Sequence, residues 1–173
     1  MRDPTKGHAA LRRGRVSIAH ANYFLSVCTD NRRAGLTTPA LARAIAAEMQ
    51  AIEADAARRL HCATVMPDHL HLLVTLGDQL TLGQTIGRLK AKTRVTLPSA
   101  SATLRWEHDF FDHHLRPEDD RLGVFLYIFL NPYRKQLYPR DEPWPWDFCC
   151  DEDWTWFKHH LDADRPLPEW LAR

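Results

Sequence analysis

The chain has 173 residues, 45% of them apolar and 26% charged, and carries a formal net charge of +1 at neutral pH. That is enough chain to bury a core as one domain without disulfides or structural metal, and no apolar run approaches the roughly 18 residues a membrane helix requires. The charge is unevenly spread, ten Lys/Arg against five Asp/Glu in residues 1–60 and seven against twelve in residues 118–173, so a basic front is available to an acidic partner such as nucleic acid.

The first fifteen residues form a basic arm with Arg12, Arg13 and Arg15 and no apolar signal core, from which an intracellular, cytoplasmic location is expected. Cys28, Cys62, Cys149 and Cys150 have no C-x-x-C spacing and read as reduced thiols. "NYFLSVCTD" (22–30), rich in aromatic and β-branched residues, predicts a strand. The stretch "TTPALARAIAAEMQAIEADAARRL" predicts a helix, with threonine at its cap and Pro39 in its first turn. "HCATVMP" and "HLHLLVTLG" predict two strands joined as a hairpin through Pro67-Asp68. Residues 80–97 predict a second helix with Leu82, Ile86, Leu89 and Thr93 on one face and Arg88, Lys90, Lys92 and Arg94 largely elsewhere. A short strand in "LRWEHDFFDHHLR" follows. "PEDDRLGVFLYIFLNPYRKQL" then predicts a third helix, opened by acids near the positive end of its dipole and ended or kinked by Pro132.

This order is the β-α-β-β-α-β pattern of a ferredoxin-like α+β fold, an antiparallel sheet with helices on one face, to which a C-terminal helix is added. Three segments are expected: the arm 1–15, a main domain 16–138 and a tail 139–173. The tail holds five of the six tryptophans, which predicts an apolar strap packed on the domain.

Four residues carry the chemistry. His69 and His71 are two apart in a strand, so both imidazoles leave the same face while Leu70 leaves the other. Taken alone an H-x-H is more often two ordinary surface histidines than half a metal site. Tyr127 and Asn131 are four apart on a helix and share a face; each alone has an ordinary reading, a core aromatic and a helix-end asparagine. Together a phenol, two imidazoles and an amide oxygen make a set suited to phosphodiester chemistry assisted by Mg²⁺ or Mn²⁺. Tyr133 and Tyr138 are weaker nucleophile candidates, because Tyr133 does not share the face of Asn131.

The stretches "VMPDHLHLLV" (65–74), "WEHDFFDHHLR" (106–116), "YIFLNPYRKQL" (127–137) and "WPW" (144–146) occur in an order that resembles the HUH single-tyrosine transposases, REP-associated type, over roughly residues 16–148. The resemblance implies metal ligation by His69, His71 and Asn131, and a covalent bond from Tyr127 to a DNA 5′-phosphate that frees a 3′-OH. It implies single-stranded, hairpin-forming repeat DNA as partner, no membrane, a monomer or homodimer, and association with the nucleoid. Arg12, Arg13, Arg15, Arg88, Lys90, Lys92, Arg94 and Arg116 are expected to contact DNA, and Asp112 and His113 to support the site. A near-neutral charge, and Tyr133 and Lys135 in place of smaller residues, depart from the family pattern. Two alternatives stand beside this reading: a hairpin-binding module that does not cut, and a replication-initiator or relaxase-like nickase. A zinc site joining His113 and His114 to the cysteines matches no standard spacing.

Overall fold

The computed structural model describes residues 16–54 and 58–161; Arg12, Arg13, Arg15 and the last twelve residues lie outside the described residues. Among the described residues the elements run β1 (Asn22–Cys28), α1 (Pro39–Ala54), β2 (Arg58–Val65), β3 (His69–Leu76), α2 (Leu82–Thr93), the one-turn α3 (Leu97–Ala100), β4 (Phe111–Leu115), α4 (Arg121–Arg134), β5 (Asp147–Cys149) and α5 (Asp151–Phe157). The strands form one sheet in the order β4-β1-β3-β2-β5, each neighbouring pair antiparallel. The first four make the ferredoxin-like arrangement, and β5 extends the sheet at the β2 edge.

Strand alternation divides the protein into two cores. Leu25, Val27, Leu70, Leu72, Val74, Ala63 and Val65 leave one face and pack with Leu41 and Ile45 of α1 and Ile86 and Leu89 of α2. Phe24, Leu73, Cys62 and Leu115 leave the other and pack beneath Val124, Phe125, Ile128 and Phe129 of α4 and Phe157 of α5. The helix α4 therefore lies across the sheet from α1 and α2.

Two helix ends differ from expectation. The second helix stops at Thr93 rather than near 97, because Pro98 has no N–H to donate back to the Arg94 carbonyl; a turn and α3 follow. Pro132 does not terminate α4, which continues to Arg134. Pro132 forfeits a single bond there, and the following turn satisfies the last carbonyls: Leu137 N–H donates to Pro132 O and Gln136 N–H to Tyr133 O, each at 2.9 Å. Gln136 adopts the left-handed φ of 55° that this ending needs.

The tail is tied to the sheet by its backbone and its indoles. Trp144 is buried and donates from Nε1 to Val65 O at 3.1 Å, and Val65 N–H donates to Trp146 O at 3.0 Å. Among the described residues no helix is long and apolar enough to cross a membrane.

Candidate active site

The site lies on the α4 face, where β3, the turn before it and α4 converge. His69 and His71 are both buried, and their Nε2 atoms are 2.9 Å apart, so the two nitrogens address one point. The turn fixes this pair. Gly35 and Leu36 N–H donate to Pro67 O at 2.8 and 2.9 Å, while Thr29 donates to Asp68 O from its backbone at 2.9 Å and its hydroxyl at 3.0 Å. Asp68 Oδ1 is 2.6 Å from His69 Nδ1. A carboxylate there holds the proton on Nδ1 and leaves the Nε2 lone pair for an electrophile. Burial lowers the pKa of His69 against the opposing pull of Asp68; for His71 burial, then His69 and Arg32, lower it further. Both imidazoles are therefore neutral near pH 7, the state in which they can ligate a cation.

Tyr127 comes down onto this pair from α4. Its ring centroid is 5.0 Å from that of His71 and 5.7 Å from that of Phe24, and Phe24 stacks on His71 at 5.3 Å. Burial raises the pKa of the phenol, while a hydrogen bond from the Asn131 side chain and the charges of Arg32 and Arg134 work the other way. Asn131 is buried and its Oδ1 has no hydrogen-bond partner. An orphaned carbonyl oxygen inside a protein is costly unless something binds it. With two neutral imidazoles beside it, the donor set fits a divalent ion that accepts mixed nitrogen and oxygen ligands.

Several neighbours have no signature in the linear sequence. Thr64 and Asp147 continue the row of His71 across β2 and β5. The Asp147 carboxyl is pushed up to about 8 by burial, with a Thr64 hydrogen bond opposing. Arg32 donates from Nε to Asp68 Oδ2 at 3.0 Å and from Nη1 to Cys28 Sγ at 2.8 Å, and Cys28 is the cross-strand partner of His69. Arg134 follows Tyr127 by seven residues, two turns along the same face. Asp68 and Arg134 could have been found by asking which residues flank the histidine pair and repeat the tyrosine's period; Arg32 and Asp147 arrive only through tertiary contacts.

Other residues of interest lie elsewhere. Asp112 and His113, with Arg116, line an edge cavity of about 500 Å³ beside β4. His113 Nε2 is 3.3 Å from Asp119 Oδ2. Tyr133 is engaged structurally: its hydroxyl donates to Glu142 O at 2.9 Å and accepts from Trp144 N–H at 2.7 Å. The basic residues of α2 belong to the helix on the opposite face of the sheet from Tyr127. There the Lys90 ammonium donates to the carbonyls of Glu107, His108 and Asp109 at 2.8, 3.1 and 2.9 Å, so it holds a loop in place, whereas Lys92 and Arg94 are exposed.

A second group able to hold an ion is formed by His61, Cys150 and Asp153, whose ligand atoms lie within 4.8 Å of one another. A β-bulge between Leu60 and Cys62 turns His61 toward α5. Arg121 already bonds Asp153 at 2.9 Å and stands 3.3 Å from His61 Nδ1. That cation occupies the charge complement of the carboxylate, and the group serves as a polar tie between the tail and the sheet.

The five-stranded antiparallel sheet with helices on both faces is the fold of a Y1-type transposase. The structure of a REP-associated tyrosine transposase bound to a REP hairpin superposes with a TM-score of 0.65 at 20% identity, covering 88% of this chain and 86% of that one. A transposase candidate from Deinococcus radiodurans R1 aligns at a TM-score of 0.46 and 18% identity, over 73% of this chain and 92% of that one. No curated protein matches in sequence. The family model for IS200-like transposases matches residues 17–114, more than half of the chain. The protein belongs to the IS200-like transposase family. The matched stretch includes His69 and His71 and ends before Tyr127.

Proposed function

We propose that this transposase is a metal-dependent endonuclease and strand transferase on single-stranded DNA that works through a 5′-phosphotyrosine. The observation that carries the reading is the placement of the Tyr127 ring 5.0 Å from His71, over two imidazole nitrogens that share one point, in a chain of a transposase family.

Tyr127 Oη attacks the phosphorus and gives up its proton, the bond to the 3′ oxygen breaks, and that oxygen takes up one proton in balance to leave as a 3′-OH while the 5′ side stays on the tyrosine. A later 3′-OH reverses the step, so the energy of the phosphodiester is kept in the protein–DNA bond and no nucleotide cofactor is required. The chain's own groups orient the reaction. Phe24 and His71 hold the phenol ring edge-on, Asn131 aims the hydroxyl, and Asp68 keeps His69 in one tautomer. When bound by His69, His71 and Asn131, Mg²⁺ or Mn²⁺ would supply a positive charge to the phosphate oxygens. The favoured substrate is a hairpin of the repetitive extragenic kind, by analogy with the REP hairpin carried by the structural relative.

The test combines purified protein, Mg²⁺ or Mn²⁺ and end-labelled hairpin DNA from the repeats flanking its own gene. A denaturant-resistant adduct is expected that is lost with chelator, in Tyr127→Phe and in His69→Ala. Hairpin binding with no adduct under any metal would replace this reading with a binding module.

A further inference from the structure

The groups closest to the reacting phenol are neutral: two imidazoles, an amide, a phenyl ring and the phenol itself. The attack proposed above concentrates negative charge on the phosphoryl oxygens, and a partly buried site needs fixed positive charge aimed at that place. Two guanidinium groups of this chain bear on Tyr127, one carried by the loop after β1 and one by α4.

Arg32 approaches from the loop after β1. Both Asn31 and Arg32 hold left-handed φ values, 53° and 55°, a conformation that non-glycine residues adopt at a cost and keep only where the surroundings enforce it. Here they are enforced. Thr29 Oγ1 lies 2.8 Å from Arg33 O, Asp30 N–H donates to Arg105 O at 2.8 Å and Glu107 N–H to Cys28 O at 2.9 Å. The result is a guanidinium laid between Cys28 and Asp68, next to the histidine pair. Its charge acts on His69, His71 and Tyr127 alike. A guanidinium presents five donors in a planar fork, so the bonds to Asp68 and Cys28 leave donors for a phosphate.

Arg134 approaches from α4. Tyr127, Asn131 and Arg134 stand at i, i+4 and i+7 and form one face of the helix. Arg134 is half-buried, and it and the Tyr127 phenol act on each other electrostatically. The continuation of α4 past Pro132 is what brings this residue onto the tyrosine's face.

We infer that Arg32 and Arg134 are catalytic residues that bind the scissile phosphate and stabilise its charge as Tyr127 Oη attacks. The planar fork suits the two non-bridging oxygens of a phosphodiester. This inference rests on the function proposed above.

The test varies the charge on both partners. The scissile linkage is mapped from the wild-type product, and the hairpin is remade with a neutral methylphosphonate at that linkage. Arg32→Gln and Arg134→Gln, with Arg32→Lys and Arg134→Lys as charge-retaining controls, are assayed for adduct formation on both DNAs. On ordinary DNA each glutamine variant is expected to slow adduct formation by about 10²-fold or more, with lysine recovering part of the rate. On methylphosphonate DNA the glutamine variants are expected to fall within about threefold of wild type. The same comparison by fluorescence anisotropy in a Tyr127→Phe background, where no reaction is needed, is expected to show a loss of affinity confined to the charged linkage.

An equal loss on charged and neutral DNA in both assays would mean that the arginines only support the loop and the helix, and would overturn the inference. So would glutamine variants as fast as wild type on ordinary DNA. If wild type itself forms no adduct on ordinary DNA, the transferase reading fails first and the inference falls with it.

Discussion

The two faces of the sheet are made by the same strands, yet they differ in kind. Beneath α1 and α2 the strands present Leu25, Val27, Leu70, Leu72, Val74 and Val65, all buried among aliphatic neighbours. Beneath α4 the intervening positions present His69, His71 and Thr64, all buried, with Asn131 above them and Asp147 at the sheet's end. The first face gains by excluding water from apolar surface. The second includes a buried polar atom left without a partner, Asn131 Oδ1, and this costs stability. Both faces carry an apolar core, but only the α4 face sets a row of buried polar side chains, His69, His71 and Thr64, into it.

Substitutions on the two faces should therefore separate activity from stability. The largest effect is expected from Tyr127→Phe, which keeps the ring against His71 and Phe24. Adduct formation should fall by at least about 10³-fold, with thermal stability changed by under about 1 kcal/mol; a denaturant-resistant adduct at wild-type rate would transfer the nucleophile to another residue.

Leu72→Ala on the opposite face should do the reverse. A cavity in the aliphatic core costs about 2–5 kcal/mol, read by urea unfolding, while the rate per folded molecule should stay close to wild type. An equal fall in specific activity at a temperature where the variant is folded would show that the two faces are coupled.

The third contrast is in pH. Asp147 is held near 8 in the folded chain against an ordinary value of 3.8. Below 3.8 both states are protonated. Between 3.8 and 8 the folded state binds the extra proton, so stability falls as pH rises, by up to about 1.4 kcal/mol per unit. Above 8 the slope ends. Asp147→Asn should lose this dependence, and its advantage over wild type should widen from pH 5 to pH 8. His61, His69 and His71 have folded values below their ordinary 6.5. Unfolded chains take up those protons first as pH drops, so stability is lost on the acid side, below about 6.5. Parallel urea titrations of wild type and Asp147→Asn across pH 5 to 9 check both signs.

The smallest contrast lies within α2. Lys90→Ala removes an ammonium from three carbonyls and should cost about 1–3 kcal/mol. Lys92→Ala, at an exposed position, should cost under about 0.5 kcal/mol. If Lys92 touches DNA its loss should lower the salt dependence of hairpin binding by about one charge, with no change in melting temperature.

Local periodicity was sufficient for much of this. Alternation in "HLHLLV" sorted His69 and His71 from Leu70 before any contact was known, because side chains in a strand leave opposite faces in turn. The four-residue spacing likewise put Tyr127 and Asn131 on one face of a helix. Periodicity failed at the helix ends. The run 80–97 was divided by Pro98, while α4 passed Pro132, because the effect of a proline depends on how the freed carbonyls are satisfied nearby.

By itself, then, the sequence determined the order of the main elements as far as α4, the ferredoxin-like pattern and which side chains share a face, since these follow from short-range backbone geometry, but not the strand β5 and helix α5 of the tail. It could not determine that α4 crosses to the face opposite α1 and α2, nor that Arg32 from a loop and Asp147 from the tail would stand beside residues distant in the chain. Those placements depend on which apolar surfaces meet when the chain closes on itself, and on bonds such as Arg32 to Asp68 that exist only after it has done so.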